Sequence, residues 1–183
     1  MNIFQEHDCE QSSVESISTL AKPYHYVGSG LGNVYLVGVK YWLCRVCGKQ
    51  AAEIPMMEQL LKSIARTLVE KPSPLVGEQV RFLRKRIGRQ SKEFAAWVGV
   101  TPERYCAMEA KSTPLAEGRD KLVRMLYRVF SRDAKLKKAL AHASQIEQWL
   151  LALHGRGDSE RIVGTWLGKR VQQWRVEAMA MAA

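Results

Sequence analysis

Two glycines, Gly88 and Gly99, set the strongest constraint on the fold, because they divide the stretch from Val76 to Glu109 into three short helical segments. A glycine commonly ends a helix in the left-handed conformation, and helices this short depend on packing against one another. The apolar residues predicted to face inward recur at helical spacing in the first two segments: Val76, Val80, Leu83, Ile87, Phe94, Ala95 and Val98. The sequence therefore predicts a cluster of short helices around Gly99.

Residues suited to begin a helix follow each of these turns. Ser91 is the predicted N-cap of the second segment, and Thr101 is the predicted N-cap of the third, with Pro102 at the first helical position. A helix-turn-helix needs a small residue at the crossing, a glycine in the turn and apolar residues that fix the crossing angle. These requirements are met by Ala95, Gly99, Val100, Tyr105 and Met108.

Positive charge is concentrated in the same part of the chain. Residues 76–138 carry 16 lysines and arginines against 7 acids, a net charge of +9, out of +10 for all 183 residues. Residues 1–75 carry 7 against 7, and residues 139–183 carry 5 against 4. A basic block between nearly neutral segments is typical of a module that binds a polyanion, with nucleic acid as the first expectation and a membrane surface as the second.

The N-terminal part is predicted to form a small sheet. Two or three antiparallel strands are expected between Val14 and Leu43, and the glycine-rich stretch 28–32 is expected to connect two of them, because a strand follows it. Cys44 and Cys47 come directly after the last of these strands. Four cysteines in a chain without a secretory signal favour metal binding over a disulfide framework, and a metal would stabilise so small a sheet.

The rest of the chain is predicted to be helical. An amphipathic helix follows the cysteine pair and ends at Pro72 and Pro74, a fourth helix continues to Val129 after the helix-turn-helix, and further helices are predicted from Asp133 onward. The predicted fold class is α+β, with a small N-terminal zinc-ribbon-like β module, an all-α helix-turn-helix domain and C-terminal helices. The predicted borders are residues 1–52 for the β module, 53–74 for the linker helix, 75–132 for the helix-turn-helix domain and 133–183 for a C-terminal helical extension involved in dimerisation.

The pattern S-K-x-x-x-A-x-x-x-G-V-x-x-x-x-x-x-x-E, from Ser91 to Glu109, resembles the Xre (Cro/repressor-type) DNA-binding family. The resemblance implies that Thr101 to Ala107 form a recognition helix that enters the major groove. It implies contacts near base edges from Lys92, Glu103, Arg104 and Cys106, and contacts with phosphates from Arg84, Arg89, Ser91, Thr101 and Lys111. Ala107 is a departure, because many relatives carry a long polar residue there.

A second resemblance, over about residues 7–130, is to the MqsA-type (YgiT-type zinc-finger) antitoxins, which combine a cysteine knuckle, a small sheet, a linker helix and an Xre helix-turn-helix. These relatives begin with C-x-x-C, whereas the matching residues here are CEQS, with Ser12 in place of a thiol. The resemblance implies a zinc ion held by Cys9, Cys44 and Cys47. Either His7 completes the site, with His25 a weaker candidate, or packing around four aromatic residues replaces the metal: Tyr24, Tyr26, Tyr41 and Trp42.

The two resemblances imply a sequence-specific transcriptional regulator that binds a palindromic operator in double-stranded DNA as a homodimer and represses its own operon. The alternative is an antitoxin whose N-terminal module binds and neutralises a cognate toxin. We do not expect an enzyme, because His142 and His154 have no nucleophile or carboxylate partner in a motif. The lack of a long apolar span and of a signal peptide leads us to expect a cytoplasmic protein with no membrane partner.

Overall fold

A computed structural model describes residues 13–131, 160–168 and 173–180, and within these ranges the fold is mixed α+β, as predicted. Seven strands in these ranges form two sheets, and five helices lie between the fifth and sixth strands. The elements are β1 (Ser13–Ile17), β2 (Tyr24–His25), β3 (Val34–Val37), β4 (Lys40–Cys44), β5 (Gln50–Glu53), α1 (Met57–Glu70), α2 (Gly77–Arg86), α3 (Ser91–Trp97), α4 (Pro102–Ala110), α5 (Glu117–Phe130), β6 (Glu160–Trp166) and β7 (Trp174–Ala180). None of these helices has the length and apolar character needed to cross a bilayer.

The first sheet has β4 at its centre, with β1 and β5 antiparallel on either side. Leu43 of β4 lies opposite Val14, and Trp42 lies opposite Ala51. Cys44 is the last residue of β4 and Cys47 lies in the connection to β5, so both cysteines lie at one end of this sheet. Four strands lie in the stretch where the sequence predicted two or three. Strands β1 and β4 belong to the first sheet, whereas β2 and β3 belong to the second.

The second sheet has the order β2-β3-β6-β7 and joins the two ends of the described chain. β2 and β3 are antiparallel, and the glycine-rich stretch connects them through a short 3-10 turn at Val27–Ser29, as predicted. β3 runs parallel to β6, with Val34 opposite Ile162, and β6 is antiparallel to β7. The C-terminal strands therefore complete a sheet that the N-terminal part begins.

The prediction of C-terminal helices is wrong for residues 160–166 and 174–180, which form β6 and β7. Their side chains alternate between the two faces of the sheet: Ile162, Gly164 and Trp174 are buried, whereas Arg161 and Arg175 are exposed. Such alternation has the period of a strand, and the pairing of β6 with β3 satisfies its backbone groups. The remainder of the predicted extension, residues 133–159, lies outside the described residues.

Helix α1 covers the second sheet with one apolar face, which confirms the predicted amphipathic helix. Leu60, Ile64 and Leu68 are fully buried on this face. The hydroxyl of Thr67 also donates to the carbonyl of Val176 on β7 at 3.2 Å. Each buried leucine or isoleucine contributes about 1.5–3 kcal/mol relative to exposure, so this face anchors the helices to the sheet.

Helices α2 to α5 pack around a core that is continuous with the core beneath α1. The inward-facing residues predicted for α3 are buried, as expected: Phe94, Ala95 and Val98. Tyr105 from α4 and Val123 from α5 are fully buried in the same cluster. A continuous core means that the sheet and the four helices stabilise each other.

Arg124 of α5 is fully buried and binds the segment that follows α1. Its Nε atom donates to Oδ2 of Asp120 at 2.8 Å, and Oδ1 of Asp120 accepts from the Leu75 amide at 2.7 Å. The terminal nitrogens of Arg124 donate to four backbone carbonyl oxygens at 2.6–3.1 Å: those of Leu68, Val69, Lys71 and Ser73. Arg124 therefore satisfies carbonyls that the end of α1 leaves without helical partners, and it fixes the path from α1 to α2.

We expect Arg124→Met to lower the free energy of unfolding by about 3–5 kcal/mol, because it leaves the Asp120 carboxylate buried without its cation. The measurement is urea denaturation followed by tryptophan fluorescence. Lys121→Met, on the same helix but in a partly exposed ion pair with Glu117, is the matched control and should cost less than about 1 kcal/mol. If Arg124→Met itself does not fold, Arg124→Lys can be measured instead. It keeps the positive charge but lacks the planar guanidinium group, so it should retain part of the stability. Equal losses in Arg124→Met and the control would contradict the assignment.

Candidate nucleic-acid interface

Helices α3 and α4 are joined by a turn of four residues, residues 98–101, in which Gly99 is the second. Gly99 has φ of +67°, a left-handed conformation that a residue with a side chain rarely adopts. Thr101 is the N-cap of α4, as predicted, and its hydroxyl accepts from the Arg104 amide at 3.4 Å. The N-cap of α3 is Gln90 rather than the predicted Ser91, and Glu93 accepts from the Gln90 amide at 3.2 Å.

The inner face of α4 is held against α3 and α2. The ring of Tyr105 is fully buried, with its centroid 5.7 Å from that of Phe94 on α3. Burial, together with the nearby carboxylate of Glu109, raises the pKa of Tyr105, so its hydroxyl stays neutral. The amide of Val100 donates to the carbonyl of Ala95 at 3.0 Å, which ties the turn back onto α3.

The outer face of α4 is open to solvent. Its exposed residues include Glu103, Arg104, Cys106 and Ala107. Hydrogen bonds from its own backbone amide and from Thr101 lower the pKa of Glu103, so this carboxylate is ionised at neutral pH. The exposed face thus presents one cation and one anion next to each other, a donor and an acceptor that suit base edges.

Arg84 of α2 is bound to Glu109 of α4 in a bidentate ion pair. Its Nε and Nη2 atoms donate to the two carboxylate oxygens of Glu109 at 2.7 and 3.0 Å, and Nη1 donates to the carbonyl of Arg89 at 2.8 Å. The bonds to Glu109 raise the pKa of Arg84. All three nitrogens of Arg84 are therefore engaged within the protein, and its position suits orienting α4 better than the phosphate contact that the sequence predicted.

The start of α2 and the end of α4 approach each other closely at Gly77. A Cβ atom built on Gly77 would collide with the carbonyl oxygen of Met108 and would lie 2.6 Å from that of Lys111. The amide of Gly77 donates to the same Lys111 carbonyl at 3.1 Å. Only glycine permits this contact, which fixes the C-terminal end of α4 against α2.

The remaining predicted residues lie at the start of α3, just before it, or at the end of α4. Ser91 at the start of α3 has its Oγ 3.6 Å from Sγ of Cys106, so the structure brings these two residues together. Lys92 and Lys111 are exposed. The guanidinium of Arg89 lies 5.1 Å above the ring of Trp97 and forms a 4.0 Å ion pair with Glu93.

Arg119 is a candidate that the sequence analysis missed. Arg104, Lys111 and Arg119 line one open cavity of about 360 Å³ between α4 and the start of α5. Lys111 and Arg119 on this concave surface suit a phosphate group, next to Arg104, which is the candidate for a base contact. Arg119 is 15 positions after Arg104 on another helix, so only the packing of α5 reveals their proximity.

The cysteine pair has the geometry of a turn that can present thiolates. Cys44 is buried at the end of β4, and its Sγ accepts from the Val46 amide at 3.4 Å. Such a hydrogen bond stabilises a metal-bound thiolate. His7 and Cys9 lie outside the described residues, and within residues 13–131, 160–168 and 173–180 no three histidine, cysteine or acidic side chains cluster as metal ligands.

The other metal-related candidates lie on the second sheet or between the sheets. His25 has its Nε2 2.9 Å from the Gly32 carbonyl oxygen and stacks on Tyr35, so it is not grouped with the cysteines. Tyr24 and Tyr41, from the proposed aromatic packing, have ring centroids 5.8 Å apart. These two rings join the two sheets directly.

Gly77→Ala should lower the free energy of unfolding by about 1–3 kcal/mol, because α2 and α4 must separate to admit the added methyl group. Gly118→Ala is the matched control, since nothing lies within 4 Å of a Cβ at that position of α5, and it should be neutral or slightly stabilising. Thermal and urea unfolding of both variants gives the comparison. A stable Gly77→Ala protein would mean that the contact between α2 and α4 is looser than described.

Comparison with protein families, with curated proteins and with solved structures finds no match to this chain. The geometry and charge of the α3–α4 region are therefore the features that indicate a function.

Proposed function

We propose that this protein is a sequence-specific regulator that binds double-stranded DNA and represses transcription of its own operon. The observation that carries the proposal is the two-sided character of α4: Tyr105 and Glu109 are buried, while Glu103, Arg104 and Cys106 are exposed. A helix of this kind can enter a major groove while its inner face keeps a fixed orientation. A toxin partner stays a prediction, since it depends on the resemblance alone.

The surface charge supports the same proposal. Lys111 and Arg119 lie beside Arg104 along one side of α4. Lys92 and Arg89 lie at and just before the start of α3, where Ser91 contacts Cys106 on another side of α4. Cations on both sides of an exposed helix match the two phosphate strands that border a groove. In this proposal Arg84 acts as a positioning residue, because its guanidinium binds Glu109.

A homodimer is part of the proposal, because one recognition helix contacts too few base pairs for specificity. Two-fold symmetry would place the two α4 helices about 34–36 Å apart on a palindromic site. The exposed apolar residues Leu122 and Val129 of α5 offer a surface for such pairing. A footprint that lacks two symmetric half-sites would contradict this part.

The decisive experiment is a footprint of the full chain on the DNA upstream of its own gene. Arg104→Ala should weaken specific binding by about 1–3 kcal/mol, or roughly 5- to 150-fold, because it removes a bidentate contact with guanine. Arg175→Ala is the matched control, since it removes the same charge from an exposed position on β7. An unchanged footprint in Arg104→Ala, with the fold intact by circular dichroism, would mean that α4 is not the recognition helix.

Arg119→Gln separates phosphate contacts from base contacts in the same assay. It should weaken binding to specific and unrelated DNA alike, and it should reduce the slope of log K against log salt concentration by about 1. Arg104→Ala should instead reduce the difference in affinity between specific and unrelated DNA. If Arg119→Gln leaves the slope unchanged, the cavity beside α4 is not a phosphate site.

Zinc is the cofactor we propose, held by Cys44 and Cys47 together with Cys9, and with His7 as the fourth ligand. The hydrogen bond from the Val46 amide to Cys44 supports metal-bound sulfur at this turn. The ion would close the end of the first sheet as a structural site. Elemental analysis of the purified chain should give about one zinc per protein, and Cys47→Ser should lose it, whereas a metal-free protein with unchanged stability would contradict the proposal.

A further inference from the structure

A second cavity lies on the side of the helices where α1 meets the ends of α2 and α5. Its volume is about 350 Å³, and its wall includes Glu58 and Lys62 from α1, Lys85 and Arg86 from α2, Ile87 just after α2, and Phe130 from α5. A volume of this order accommodates a small organic molecule. None of these residues belongs to the candidate nucleic-acid interface.

The cavity has an excess of positive charge, with three cations and one carboxylate. Glu58 is engaged by two of the cations: Nη2 of Arg86 lies 2.6 Å from its Oε1 atom, and Nζ of Lys62 lies 3.7 Å away. Lys85 forms no ion pair within the described part of the chain. The Nε atom of Arg86 is buried and has no hydrogen-bond acceptor among the described residues. The wall thus keeps a net charge of +2.

The same cavity has an apolar side that is incompletely covered. Phe130 is a large aromatic residue with 45% of its surface exposed. One face of its ring stacks on Trp97 of α3 at a centroid distance of 4.5 Å, and Ile87 is only half-buried nearby in the wall. An aromatic or branched alkyl group would bury this surface, at about 25 cal/mol per Å².

We propose that this cavity binds a small organic anion, specifically a carboxylate attached to an aromatic or branched aliphatic group. The carboxylate would lie against Lys85, Arg86 and Lys62, and the hydrocarbon against Ile87 and Phe130. Charge alone would suit inorganic anions, and the exposed aromatic surface alone would suit neutral compounds. The combination favours a molecule that carries both groups.

The position of the cavity also predicts an effect on DNA affinity, and this part depends on the proposed function. Phe130 stacks on Trp97, and the guanidinium of Arg89 packs over the ring of Trp97. Arg89 is a proposed phosphate contact. An anion bound beside Lys85 and Arg86, which precede Arg89 by four and three positions, would reduce the positive charge of the surface that includes Arg89. The bound anion therefore weakens DNA binding, as an inducer does.

Direct binding is tested without DNA by titrating the ¹⁵N-labelled full chain with benzoate. We expect saturable shifts of the amide signals of Ile87, Gly88 and Phe130, with a dissociation constant in about the millimolar range for so small a ligand. Benzyl alcohol and inorganic phosphate serve as matched probes, and each should bind more weakly than benzoate. Equal binding of benzyl alcohol would overturn the role of the charge, and equal binding of phosphate would overturn the role of the apolar wall.

A double variant, Lys62→Gln with Lys85→Gln, should raise the dissociation constant of benzoate by about 3- to 10-fold, because two exposed charges are removed. Arg86 is left in place, since it binds Glu58. Lys49→Gln, at an exposed position after the cysteine pair, is the control and should leave benzoate binding unchanged. Benzoate binding that is insensitive to the double variant, or shifts that appear elsewhere, would overturn the site.

The effect on DNA is measured separately, in sodium benzoate against sodium chloride at the same ionic strength. The wild-type chain should lose DNA affinity in benzoate, and the double variant should lose less. Benzoate binding without any change in DNA affinity would overturn the inducer role, although the site itself would stand. A chain that binds benzoate but gives no footprint in either salt would overturn the proposed function and not the site.

Discussion

The buried guanidinium of Arg124 determines how the helices that carry the candidate interface are attached to the sheet. A cation removed from water is costly unless hydrogen bonds and an opposite charge surround it. Here Asp120 and four backbone carbonyls surround it, and those carbonyls belong to the end of α1 and the segment that leads to α2. Apolar packing alone would tolerate several orientations of α5. The guanidinium permits only the orientation in which all of these acceptors converge.

A second buried ion pair applies the same principle at the other end of the helical region. Glu109 is buried, and both of its oxygens are bound by Arg84 of α2, so a rotation of α4 would leave a carboxylate without its partner. Gly77 adds a steric limit, because it admits the backbone of α4 where a side chain would not fit. The exposure of Arg104 and Glu103 is therefore a consequence of contacts on the opposite face of the helix.

Local signals predicted the helices between Met57 and Phe130 well, because capping and turn residues act over a few positions. Thr101, Pro102 and Gly99 fixed the turn and the start of α4, and the apolar spacing predicted α1. The missed features depend on distant partners. From the sequence alone, Arg84 is expected to be an exposed cation. Its role in positioning α4 depends on Glu109, which is 25 residues away. Arg119 lies near Arg104 only because of the way α5 packs. The strand β6 forms because it pairs with the edge of β3, which is far away in sequence.

The pairing of β3 with β6 also changes how the chain can be divided for study. The predicted domain border at residue 132 suggests truncation there as the test of whether the C-terminal extension is involved in dimerisation. In the structure that cut removes β6 and β7, half the strands of a four-stranded sheet. It would expose the face of α1 that carries Leu60 and Ile64, and it would open the edge of β3. Loss of dimers or of DNA binding after such a truncation would then reflect an exposed core, so point substitutions on the surfaces of α4 and α5 are the cleaner way to separate folding from function.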